Sequence, residues 1–346
     1  MHAQAFPGLL SPAVAYAFKR RGKHAENAPE TPACGIMPSL FRPLKEMPSM
    51  WFRNLTLLRL PKDVLPESEE ITAALDSLAF RPTLPQEPAS EGFGSVLGGD
   101  MPRLHVTDGN LLISLRREER LLPSSVVNDM LAEKIEQIET AESRKVGSRE
   151  KRGLRDEITL TLLPRAFTRR QRTWAYLDPR AGWMVIDTAA PKRASAVTDA
   201  LRKALGSLPV QPLRVQEAPT AVMTRWLLES PSPAFVLDES CELREPEGGQ
   251  VVVRRQGLED AELRSLAEAG RQVTRLALIW RDKVEFTLCD DLTLRGVRFT
   301  DTLTETLEAD EDDPAARLDA EFALMSLTFR ELFDELIEAL GGEATA

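Results

Sequence analysis

The sequence predicts an α+β protein of several lobes, in which antiparallel sheets carry flanking helices. Three patterns support this. Val284, Phe286 and Leu288 alternate with Lys283, Glu285 and Thr287, which marks a strand with one dry and one wet face inside a meander at 273–280, 283–289 and 292–299. Near the C-terminus Leu318, Phe322, Met325, Phe329, Leu332, Leu336 and Ala339 step by fours and threes, the spacing of one apolar helical seam. The remaining strand-like and helix-like stretches are punctuated by glycine and proline, and 346 residues with 42% hydrophobic and 28% charged content can fill two or three lobes.

Residues 1–49 hold scattered prolines and no sustained period, so they are expected to be disordered or a non-native extension, with the folded protein starting at Met50. A strand at 51–60 closes at Pro61, and Ile71, Leu75 and Leu78 mark a helix over 67–80. The glycine-rich GFGSVLGGD at 92–100 reads as a long turn. It is not a phosphate loop, because Met101-Pro102 follows where a helix N-terminus would be required.

A strand at 110–115 runs into Arg116, Arg117 and Arg120. Ser124 then caps a helix through Val127, Leu131, Ile135 and Ile138 that continues toward Gly147, and a second helix at 154–163 is stopped by Pro164. Phe167 follows among cations, where it either packs under a loop or stands out as an anchor for a partner chain. A hairpin at 172–178 and 182–187 leads to a helix through Val197, Leu201 and Leu205, with Arg202 and Lys203 off its apolar face.

The proline-rich connection at 209–219 is the expected domain boundary. Beyond it come a helix at 220–229, a short strand at 235–237, a strand at 250–253 ending in Arg254, Arg255 and Gln256, and a helix at 258–269. This second strand, Arg-Arg, helix order repeats the first and hints at a duplicated subdomain. After the meander, Asp313 is placed as N-cap with Pro314 at the first helical position, and Gly341-Gly342 end the last helix. The expected division is an extension at 1–49, a central α/β lobe at 50–116 and 173–215, a helical basic tip at 117–172, and a C-terminal α+β lobe at 216–346 with an acidic final helix.

Charge is segregated. The net charge is −10, yet 143–172 carries Arg144, Lys145, Arg149, Lys151, Arg152, Arg155, Arg165, Arg169, Arg170 and Arg172 against Glu150, Asp156 and Glu157. From Asp301 onward the only basic residues are Arg317 and Arg330. A basic island in an acidic chain is either a polyanion surface or the solvated outside of two helices.

Other chemistry is sparse. Cys34, Cys241 and Cys289 lack paired spacing and read as buried reduced thiols, and the lone histidine of the folded part, His105, reads as structural. Asp290-Asp291 is the best enzyme-like feature, as a holder of divalent metal for phosphodiester hydrolysis, although two aspartates between strands also make a good hairpin turn. No cofactor is expected. No apolar run reaches membrane-spanning length and no secretion pattern opens the chain, so a cytoplasmic protein without membrane partners is expected.

Met-Trp-Phe-Arg-Asn at 50–54, LPRAF at 163–167, LRKALGSLP at 201–209, CDD at 289–291 and LIEALGGEA at 336–344 occur in the order in which similar strings occur in the bacterial recombination-associated RdgC family. The chain resembles that family from 50 to 346. The resemblance implies a homodimer closed into a ring around duplex DNA, with a basic lining, little sequence preference, affinity for double- and single-stranded DNA, and restraint of RecA-promoted recombination on the nucleoid. It implies no bond made or broken, and hence no enzyme.

By resemblance Phe167 falls in the tip that closes the ring against the other subunit. Arg254, Arg255 and Gln256 are expected in the lining, as are Arg116 and Arg117 by the duplicated pattern, with Arg165, Arg169, Arg170, Arg172 and Lys203 as further DNA contacts. The competing readings are a metal-dependent nuclease using Asp290 and Asp291, and a scaffold whose basic island meets an acidic protein.

Overall fold

The computed structural model describes residues 50–344 except 100, 246, 259 and 306–312. The expectations for 1–49 and for Cys34 lie outside the described residues. The strands are β1 (Asn54–Arg59), β2 (Ala89–Gly94), β3 (His105–Thr107), β4 (Asn110–Leu121), β5 (Phe167–Asp178), β6 (Trp183–Asp187), β7 (Gln211–Pro212), β8 (Phe235–Arg244), β9 (Gln250–Arg254), β10 (Gln272–Trp280), β11 (Val284–Cys289) and β12 (Leu294–Phe299). The helices are α1 (Ser68–Ser77), α2 (Ser124–Glu142), α3 (Ser148–Leu162), α4 (Pro191–Leu205), α5 (Pro219–Leu228), α6 (Ala261–Glu268), α7 (Asp301–Thr304) and α8 (Pro314–Ala339).

All twelve strands of the described residues belong to one sheet, ordered β2-β4-β5-β6-β1-β12-β11-β10-β8-β9, with β3 on β4 and β7 on β1. Every pairing between named strands is antiparallel, and β1 joins the early strands to the meander by pairing with both β6 and β12. The α+β class with antiparallel sheet and flanking helices is thus observed.

Helices pack on both faces of the sheet because its central strands are apolar on both sides. On one face Leu55, Leu112, Tyr176, Trp183 and Phe286 pack with Phe322, Met325, Phe329 and Leu332 of α8 and Val222 and Trp226 of α5. On the other, Phe93, Ile113, Leu115, Met184 and Ile186 meet Ile71 and Leu75 of α1 and Val197 and Leu201 of α4. The α8 seam is dry from Leu318 to Leu336, and each large side chain in it contributes about 1.5–3 kcal/mol by burial. Asp313 caps α8 as expected, its Oδ1 accepting from the backbone N–H of Ala315 at 2.8 Å.

Several elements differ from the sequence-based expectations. Ala89–Gly94 is a strand, so the turn begins only at Ser95; Gly92 serves close approach, since a Cβ there would lie 2.6 Å from the backbone nitrogen of Phe80. Pro123, not Ser124, occupies the cap position of α2, with no side-chain cap. That helix stops at Glu142, with Ser143 left-handed at φ 51°. Helix α3 starts at Ser148 and buries none of its residues, so no apolar stripe marks its beginning.

The largest difference lies in β4 and β5. The former continues through Arg116 and Arg117 to Leu121, and the latter starts at Phe167, so both strands extend well past their apolar segments. Pairing between them holds this extension together, from Leu111↔Leu177 to Leu121↔Phe167. Cys241 and Cys289 are buried and free, as expected, and burial pushes the Cys241 thiol up to about 11.

Candidate nucleic-acid interface

The extended part of β4 and β5 carries most of the sequence-predicted cations. Directly opposed residues of an antiparallel pair share a face, and successive residues alternate. Arg116↔Arg172 and Glu118↔Arg170 therefore stand on one face with Ser114↔Trp174. Arg117↔Gln171, Glu119↔Arg169 and Leu121↔Phe167 stand on the other. Arg116 and Arg117, adjacent in sequence, point to opposite sides.

The two faces are electrically different. On the second face Arg117 meets Glu91 at 3.2 Å and Glu119 at 3.5 Å, and Arg169 Nε reaches Glu119 at 2.9 Å. The Arg169 guanidinium holds the Glu119 carboxyl below the usual carboxylate range. On the first face Arg170 pairs with Glu118, whose side chain is 4% exposed and also accepts the Thr83 N–H at 3.0 Å. Those bonds, that of Arg170 first, hold the Glu118 carboxyl low as well.

Arg116 and Arg172 are not neutralised in this way. Each donates from Nη2 to the carbonyl oxygen of Ser95, at 3.1 Å and 2.8 Å, and neither has a carboxylate partner among the described residues. Burial, followed by the nearby Arg116 charge, pushes the Arg172 guanidinium down to about 10. Burial, followed by the charges of Arg103 and Arg170, lowers that of Arg116. The Arg172 guanidinium also lies over the Trp174 ring, 4.6 Å from its centroid.

Beyond the ribbon, α2 and α3 form the helical basic segment. Arg144 bridges Glu142 at 2.6 Å and Glu150 at 2.7 Å, while the exposed side chains of Lys145, Arg149, Lys151 and Arg152 make no ion pair or hydrogen bond among the described residues. Arg165 lies in a short 3-10 turn (Leu163–Arg165), exposed and equally without a side-chain partner. Phe167 follows at the start of β5 with 86% exposure; it does not pack under a loop.

The other expected contacts lie elsewhere. Lys203 is exposed in the last turn of α4. Arg254 ends β9, at the far end of the sheet path from β2, and Arg255 is left-handed at φ 53°. Both are exposed without side-chain partners among the described residues, while Gln256 donates from Nε2 to Asp260 at 3.1 Å. The two Arg-Arg pairs occupy different settings, one inside a strand and one at a strand end. The sequence-based reading overlooked Gly94, Ser95, Trp174 and the neutralising Glu118 and Glu119; alternation carried on past Leu115 was the available signal.

Asp290 and Asp291 lie exposed between β11 and β12, where Asp291 Oδ1 accepts from Thr293 N at 3.0 Å and Thr293 Oγ1 at 2.6 Å, a turn role. Among the described residues no group of three or more His, Cys, Asp or Glu side chains is gathered so as to hold a metal ion. No described helix is long and apolar enough to cross a membrane.

A family model described as "Putative exonuclease, RdgC" matches residues 50–343. The chain is 43% identical over 302 residues to the recombination-associated protein RdgC of Pseudomonas fluorescens (strain Pf0-1), covering 86% of this chain and 99% of that one. It is 46% identical over 301 residues to the protein of the same name from Pseudomonas aeruginosa strain PAO1, covering 85% and 98%. The corresponding protein of Pseudomonas syringae pv. tomato is 43% identical over 301 residues, covering 85% and 98%.

Proposed function

The chain belongs to the RdgC family of recombination-associated proteins, and from that premise we propose that it binds DNA, double- and single-stranded, without regard to sequence. In this reading two copies close into a ring around the duplex, and occupancy of DNA restrains RecA-promoted recombination on the nucleoid in the cytoplasm. The observation that carries the reading is a set of exposed cations without carboxylate partners among the described residues, Lys145, Arg149, Lys151, Arg152 and Arg165, in a chain of net charge −10. Arginines already matched by glutamate, such as Arg117 and Arg169, gain less from a phosphate.

The mechanism is electrostatic. Cations neutralise phosphates and release condensed counterions, which gives affinity without base readout. Arg116, Arg172, Lys203, Arg254 and Arg255 join Arg165 and the other cations of that set as direct contacts in this account, with Arg117, Arg169, Arg170 and Gln256 contributing by exchanging partners. Closure of the ring falls to Phe167, whose exposed ring needs an apolar partner. A net acidic protein holds DNA this way because only the contacting surface is basic.

No bond is made or broken in this proposal. The nuclease reading, which takes up the wording of the family description, would place metal at Asp290 and Asp291. Incubating end-labelled linear DNA with the full chain and magnesium or manganese separates the two. Bound, full-length DNA with equal affinity for unrelated duplexes is expected; progressive shortening from the ends would overturn the non-catalytic account. A basic surface that fails to bind any DNA would favour the protein-scaffold reading.

A further inference from the structure

We propose that Arg116 and Arg172 form one oxyanion seat, built on the backbone of Gly94-Ser95, that takes a single phosphodiester group of the bound strand. This deepens the DNA-binding reading and rests on it for the choice of phosphodiester over free phosphate. The two residues are directly opposed in β4 and β5, so their side chains leave the same face side by side. Both guanidinium groups then converge on the Ser95 carbonyl, at 3.1 Å and 2.8 Å. One carbonyl accepts from both and neutralises neither. Most of their N–H donors remain available around a common point, the arrangement that bidentate recognition of phosphate oxygens requires.

The surroundings keep the seat cationic. Glu118, the acid on the same face, is taken by Arg170 and the Thr83 N–H, and Arg103 is committed to Asp76. Glu91 and Glu119 pair with Arg117 and Arg169 on the opposite face.

The backbone is shaped to hold the pair. A Cβ on Gly94 would fall 2.2 Å from Arg116 Nε and 2.5 Å from its Cδ, so the Arg116 side chain lies flat across β2 because residue 94 is glycine. Ser95 is fixed by its own turn: its Oγ donates to the Gly98 carbonyl at 3.0 Å and accepts the Gly98 N–H at 2.9 Å. Trp174 supports Arg172 from beneath at 4.6 Å. The glycine-rich stretch therefore serves phosphate by a route other than a helix N-terminus: its backbone seats two guanidinium groups.

The test is residue-by-residue arginine footprinting of the full chain with phenylglyoxal, read by mass spectrometry, alone, with a short duplex, and with inorganic phosphate. Arg116 and Arg172 should be protected together by duplex, and by inorganic phosphate only at much higher concentration, while Arg225, paired with Glu217 away from the ribbon, keeps its rate. In parallel, Arg116→Gln with Arg172→Gln should reduce the salt slope of duplex binding by about 0.9, because the two arginines share one phosphate. Gly94→Ala should abolish protection of Arg116 by phosphate. Duplex binding that leaves both arginines unprotected and the slope unchanged would overturn the seat while leaving the DNA-binding reading intact. Protection by phosphate without any duplex binding would overturn the phosphodiester assignment together with that reading.

Discussion

Arg330, midway along α8, reaches Asp178 at the end of β5 with two guanidinium nitrogens, Nε at 2.9 Å and Nη2 at 2.7 Å from the same carboxylate oxygen. Asp178 is closed off from solvent, with a side-chain exposure of 2%, and its other oxygen accepts the Ala181 N–H at 2.9 Å. The pair ties the last helix to the β5–β6 hairpin, at the opposite end of β5 from the ribbon. Replacing Arg330 with Ala strands a buried carboxylate, and the expected loss is about 3 kcal/mol. Urea unfolding checks it through a lowered midpoint at unchanged m-value; an unchanged midpoint contradicts it.

Acid should loosen the ribbon. Arg170 beside Glu118 and Arg169 beside Glu119 hold both carboxyls below the usual range. Folded-state values below the unfolded ones mean that the unfolded chain takes up more protons as pH falls. Their contribution is thus fully present above the unfolded carboxylate value of about 4.3 and is lost as pH falls through the depressed values. Thermal unfolding followed from neutral pH downward should show Glu118→Gln less stable than the parent at neutral pH. The two should converge in acid, and parallel curves would refute the assignment.

Phe167 is exposed and packs on nothing that would miss it, so Phe167→Ser should change the stability of the isolated subunit by no more than about 0.5 kcal/mol. Its effect should fall on association. Analytical ultracentrifugation should show a weaker dimer, and retention on closed circular DNA should shorten; an unchanged dimer constant with unchanged retention removes Phe167 from the interface.

Arg254 and Arg255 are exposed, with no acidic side-chain partner among the described residues. Changing both to Ala should weaken binding to unrelated duplexes by the same factor and reduce the salt slope by roughly 1.8. Equal loss across sequences is the check, by fluorescence anisotropy at fixed salt. A loss confined to one sequence would mean base readout.

What could be read from the sequence follows where water is. The meander and α8 were legible because each has one dry face, so Val284, Phe286 and Leu288 or Phe322, Met325 and Phe329 leave a period behind. The outer half of β4 and β5 carries polar and charged side chains on both faces, buried Glu118 among them, so Arg116 through Arg120 alternate without an apolar signal. The start of helix α3 at Ser148, six residues before the expected 154, was missed because its first turns carry no apolar residue.

The candidate site was half legible. Its cations stand out as a charge run, but which of them are free depends on pairing. Glu118 and Glu119 cancel Arg170 and Arg169 through strand register, a long-range relation that adjacency in the chain conceals. The Ser95 carbonyl carries no residue-type signature at all. Gly94 resembled a turn glycine, and only the side chain lying across it reveals its use.

The measurement that bears most directly on the central claim is the salt dependence of binding to several unrelated duplexes. If free cations on the ribbon and the helical segment neutralise phosphates, log affinity falls linearly with log salt, by about 0.9 per phosphate contacted, with one slope for every sequence. A flat dependence, or slopes that differ from one duplex to another, would contradict phosphate neutralisation as the basis of binding.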